Sequence, residues 1–151
     1  MNSEDSPSPT GLESYLVRLA WHSTLGLAVV VAMGMASPEL LGPVVVVFSS
    51  LLFALGLGML ALGLLAGLRR SRDEEVTVTG LFLLYGSAPL KVRKVFGWAL
   101  GLQLVVACAG AAVRPYTQVA FGILAPMILF GSACLWSARF GSFSTRGPGT
   151  A

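Results

Sequence analysis

Few side chains in this sequence could do chemistry: one histidine, His22, two cysteines, Cys108 and Cys134, and Gln103 in an otherwise apolar stretch. A sole histidine cannot build a bis-histidine haem site, or the two-histidine part of a zinc site, within one chain. His22 lies one helical turn from Arg18 and next to Trp21, which is the company of a residue at a membrane–water interface. The cysteines lack the Cys-x-x-Cys spacing of a thiol–disulfide centre. Helical rise also separates them in depth, with Cys108 about 20 Å and Cys134 about 8 Å from the same end of their stretches. A disulfide tolerates at most about 7 Å between Cα atoms, so both read as small packing residues. Gln103 could bond to a neighbouring helix, worth on the order of 1 kcal/mol, or line a small polar cavity. His22 and Gln103 are thus the candidate polar sites, while Ser49, Ser50, Thr24, Ser132 and Ser137 can satisfy themselves on carbonyls of their own helices. No Gly-rich phosphate loop, paired carboxylates or Ser/His/Asp set is visible. The sequence therefore assigns no catalytic, cofactor-binding or metal-binding residue and is read as that of a protein that is not an enzyme.

The elements that must position these groups follow from composition. The chain has 151 residues, 55% hydrophobic and 11% charged, with a mean hydropathy of +0.79. A soluble domain carries about 25% charged residues, so there is too little charge to cover a water-facing surface. Four stretches without Asp, Glu, Lys or Arg, at about 19–36, 44–68, 95–113 and 116–138, are long enough to cross about 30 Å of hydrocarbon as helices. Breaks at Ser37–Pro38–Glu39 with Gly42–Pro43, and at Arg114–Pro115–Tyr116, read as tight turns. The expected fold is an all-α membrane protein, four transmembrane helices as two hairpins, occupying residues 15–140. Residues 1–14 and 141–151 read as disordered tails; the first, rich in Ser, Pro and acid, has no basic n-region of a cleavable signal peptide.

Orientation follows from the ten basic residues. Arg18, Arg69, Arg70, Arg72, Lys91, Arg93, Lys94, Arg139 and Arg146 fall at one side and Arg114 alone at the other, which predicts cytoplasmic termini and a cytoplasmic 69–94 loop. Trp21, Trp98 and Trp136 sit at the cytoplasmic ends of spans, where amphipathic rings prefer to lie. Heavy use of Ala, Gly, Val and Leu, and of Arg over Lys, suits the coding bias of a GC-rich bacterium, and the expected location is an inner (plasma) membrane.

In lipid, helices approach closely where small residues line one face. Ser49, Gly56 and Gly63 recur every seven residues in the second span, and Gly67 completes a Gly-x-x-x-Gly. The third span has Gly97 and Gly101, extended by Cys108 and Ala112, with Ala99, Gln103, Ala107 and Gly110 on a roughly opposite face; neighbours on both sides would place it centrally. The fourth has Gly122, Pro126, Ala133 and Ser137, with Pro126 expected to bend it.

In the 69–94 loop, the alternation Val76–Thr77–Val78–Thr79 before Gly80 predicts a short strand or hairpin, and the apolar strip after it an interfacial segment. Leu81, Phe82, Leu84 and Tyr85, with Lys91, Arg93 and Lys94, form a candidate docking loop: basic residues for anionic headgroups and an apolar ridge for a protein. The bland alternative is that the charges fix topology and the strip packs on the protein's own bundle. Expected partners are the bilayer with its anionic headgroups and another membrane protein or a second copy, not nucleic acid. The function expected from these features is that of a subunit, assembly factor or scaffold of a larger envelope complex. The alternative is a homo-oligomeric transporter or flippase for a neutral or lipidic substrate, with Gln103, the serines and the Pro126 bend shaping a groove.

Overall fold

With no charge to interrupt them, the apolar stretches have one way to satisfy their backbone polar groups in hydrocarbon, which is to become helices. The computed structural model, which describes residues 11–145, shows them as such. In chain order the elements are α1 (Gly11–Ala36), α2 (Pro38–Arg70), α3 (Val78–Phe82), α4 (Leu90–Val113), a 3₁₀ segment (Gln118–Leu124) and α5 (Met127–Phe140). Four helical runs are long and apolar enough to cross a membrane: α1, α2, α4 and the composite Gln118–Phe140. Residues 11–14 are helical and belong to α1 rather than to a tail.

The turn between α1 and α2 is tighter than Ser37 to Pro43. Ser37 alone is non-helical, and Pro38 starts α2 with the backbone angle that proline presets. Pro43 lies inside α2. At 33 residues, α2 measures about 50 Å, well beyond the hydrocarbon thickness, and ends in Arg69 and Arg70.

The fourth span is not one straight helix. It runs as 3₁₀ from Gln118 to Leu124, and Pro126, which lacks an N–H to continue the ladder, caps the start of α5. This span, not the third, is the centre of the bundle. Every residue from Gly131 to Ala138 is buried, and α5 touches α1, α2, α3 and α4. The reason is a run of small side chains, Gly131–Ser132–Ala133–Cys134, which keeps the helix narrow on all sides at once. α4 packs through one face only, Phe96, Ala99, Gln103, Ala107 and Gly110, mainly on α1 and the 3₁₀ segment. Around Gly97 and Gly101, on its other face, nothing lies within 4 Å of where a Cβ would be.

The α2 stripe Ser49, Gly56, Gly63, Gly67 is buried. A Cβ on Gly56 would meet the backbone of Met127 and Ile128, one on Gly63 would meet Cys134 and Leu135, and one on Gly131 would strike Gly56 backbone. α2 and α5 therefore cross at van der Waals contact of main chain with main chain. Gly67 faces Leu81 of the loop instead. Towards the other end, Gly122 packs beside Val31 and Leu27 of α1.

The described residues contain no strand and no β-hairpin. Residues 76–79 have no partner strand to pair with. Thr77 caps a helix instead, its hydroxyl accepting from the Gly80 N–H at 3.1 Å. Extended pairing is confined to one bridge, Glu74 with Thr145, so residues 141–145 are held against the loop rather than free. Arg146 and the rest of both expected tails lie outside the described residues. Trp136 differs from the other two tryptophans in its surroundings: it is 1% exposed, packed with Phe140 in the core, while Trp21 and Trp98 are exposed.

Adding one methyl at the α2–α5 crossing should be costly. Gly56→Ala and Gly131→Ala are each expected to lower stability by about 1–3 kcal/mol in detergent unfolding titrations, whereas Gly97→Ala and Gly101→Ala leave it unchanged or slightly raised.

Candidate functional site

Two polar constellations organise the protein, one in the bundle interior and one at the end where most of the basic residues gather.

In the interior, Ser23 and Thr24 donate back to the Ala20 carbonyl at 3.1 and 2.7 Å, the usual solution for a hydroxyl in a helix. Their lone pairs then face α4. Gln103, fully buried, donates both amide hydrogens to them, at 3.1 Å each. Of the two roles open to Gln103, a helix contact and a cavity lining, the geometry realises the helix contact. Its Oε1 has no protein partner. The serine–threonine pair on α1 was the missed half of this joint; two adjacent hydroxyls in an apolar run are its signal.

At the basic end, Arg70 finishes α2. Its guanidinium donates to the carbonyls of Ala138 and Gly141 at 3.1 and 2.9 Å, pairs with Glu74 at 2.7 Å, and lies over the Phe143 ring at 5.3 Å. The Ala138 carbonyl is in the last turn of α5, where no intrahelical donor remains, and Gly141 is the extended residue that caps it, so a cation beside them is doubly favourable. The Gly80 carbonyl accepts from Ser87 at 2.6 Å and Ser137 at 2.7 Å. Ser137 therefore bonds across to the loop rather than to its own helix, and Ser49 Oγ has no partner. Residue type alone marks Arg70 as a topology charge and Ser137 as a serine satisfied on its own helix; Glu74 four residues after Arg70 is the one local hint of the clamp.

This clamp folds the candidate docking loop onto the bundle. Leu81 and Leu84 are buried at 6% and 1% and Phe82 is half-buried, so the apolar ridge is spent inside the protein. Leu84 takes a left-handed backbone, φ 58°, an energetic cost that its burial with the core offsets. Leu83 and Tyr85 stay exposed. Arg93 stacks on Tyr85 with its guanidinium 5.2 Å from the ring centre, while Lys91 and Lys94 are exposed.

Elsewhere, His22 precedes Ser23 on α1 but is exposed, with Nδ1 2.7 Å from the Arg18 carbonyl, and takes no part in the Gln103 joint. Cys108 is exposed and Cys134 buried, both free thiols. At the opposite end, Arg114 donates to the Met35 carbonyl at 3.2 Å and forms no ion pair with Glu39. Among the described residues no group of three or more His, Cys, Asp or Glu could hold a metal ion.

No protein-family model, curated protein or solved structure matches the chain, so its function has to be argued from this geometry.

Gln103→Leu should remove the interhelical bonds without changing the helix, at a cost of about 1 kcal/mol in detergent unfolding, with the double variant Ser23→Ala/Thr24→Ala no worse than additive. Arg70→Gln should free the end of α5, and limited trypsin digestion is expected to cut after Arg139 several-fold faster than in the wild type.

Proposed function

We propose that this chain is a non-enzymatic subunit, assembly factor or scaffold of a larger complex in a bacterial inner membrane, with both termini in the cytoplasm. The observation that carries the reading is how Gln103 is used. The strongly polar side chain in the bundle interior is spent on joining α1 to α4, and it is absent from the linings of the clefts beside Arg93, Leu68 and Glu39. Polarity in this bundle thus serves helix contact rather than passage. The outer face of α4 supports the same reading. Gly101, Cys108 and Ala112 form a flat strip exposed along one side of the bundle, the relief that admits a partner helix. The docking surface moves accordingly from the loop ridge, which is buried, to this face.

The transporter or flippase reading rests on one atom, the unpartnered Gln103 Oε1, and on the break at Pro126. Both readings meet the same experiment. Native mass spectrometry of the tagged protein in mild detergent should find another polypeptide in fixed ratio, and Gly101→Leu should cut its recovery at least tenfold while the fold persists. A bare homo-oligomer whose mass Gly101→Leu leaves untouched would overturn the subunit reading.

A further inference from the structure

The basic end of α4 combines two depressions that meet at one missing side chain. The first lies between α4, α5 and the chain after α3, about 100 Å³ in volume, lined by Leu84, Phe96, Leu100, Leu129 and Phe130. It is apolar throughout apart from Arg93. The second lies on the outward side of α4 and is lined by Arg93, Lys94, Gly97 and Trp98. Arg93 and Gly97 border both, and a Cβ on Gly97 would touch nothing within 4 Å, so the absence of a side chain there joins the two into one bent trough.

The chemistry of the two arms differs in a way that selects one ligand. The inner arm offers hydrocarbon and aromatic edges, with no polar group to hold a headgroup or a soluble metabolite. The outer arm offers two cations. Among the described residues the ion pair is Arg70 with Glu74, so neither Arg93 nor Lys94 is neutralised by a carboxylate. Arg93 is instead aimed by its stacking on Tyr85. Trp98, 73% exposed, marks the depth of the headgroup layer one turn from these cations. A cation pair at that depth with an apolar slot running inward from it is complementary to an anionic phospholipid.

We propose that this trough is a specific site for one anionic phospholipid, its phosphate between Arg93 and Lys94 and one acyl chain passing Gly97 into the slot between α4 and α5. The site belongs to the chain by itself and does not depend on the subunit reading. It turns a general attraction of basic residues for the membrane surface into a defined place.

Native mass spectrometry of the purified chain, titrated with phosphatidylglycerol or phosphatidylcholine in mixed micelles, tests it. The wild type should retain one phosphatidylglycerol in preference to phosphatidylcholine. Arg93→Gln/Lys94→Gln should reduce that preference by about tenfold or more, the scale expected for two cations at a membrane surface. Arg69→Gln/Arg72→Gln, which removes the same charge outside the trough, should leave it intact. Gly97→Leu fills the junction and should weaken retention of the anionic lipid with all cations present; circular dichroism checks that its helices persist. Equal retention of the two lipids by the wild type, or equal losses in the two charge-matched double variants, would overturn the proposal in favour of diffuse attraction.

Discussion

The contact on which the bundle depends is main chain against main chain, where Gly56 of α2 meets Gly131 of α5. Burying apolar side chains gives helices in lipid little reason to associate, so close packing has to come from dispersion at short range, and that requires side chains to be missing. Gly56 and Gly63 clear a channel along α2, and the small residues of α5 let it lie in that channel. Once α5 is set there, the rest is constrained. α1 packs on α2 and α4 on α1, and the 3₁₀ segment leads the chain back to the centre.

That same placement explains the polar groups. A helix at the centre of a bundle ends with carbonyls that neither lipid nor neighbouring backbone can satisfy, and the protein meets them with Arg70 at the end of the over-long α2. The loop then closes over this end, Leu81 against Gly67 and Leu84 in the core. Gln103 plays the corresponding part for α1 and α4, a pair whose contact face lacks glycine at its middle and is instead fastened by two hydrogen bonds.

Much of the architecture is legible in the residues. The four spans follow from the lack of charge, because hydrophobic length is a property of the segment alone. Seven-residue spacing places Ser49, Gly56 and Gly63 on one stripe by helical geometry alone. Which helix fills a stripe is a property of pairs, and here a search for one small-residue face per helix misleads. α4 has two such faces and uses one; α5 has small residues at successive positions, on every face, and is surrounded. The alternation at 76–79 suggested a strand because β-branched residues favour one, but a strand needs a partner, and a helix cap at Thr77 supplies the hydrogen bond locally. Trp136 resembles Trp21 and Trp98 in its position along a span; only its neighbours distinguish a core ring from an interfacial one.

The position of α5 also has a consequence for how the molecule is made. α5 follows α1, α2 and α4 in the chain, so until it is made the face of α2 along Gly56 and Gly63 lacks the helix that covers it. The carbonyls of Ala138 and Gly141 that Arg70 meets lie at the end of α5, so the clamp can close only once that helix is made. A bundle that lacked α5 would leave that face of α2 uncovered and Arg70 without those carbonyls.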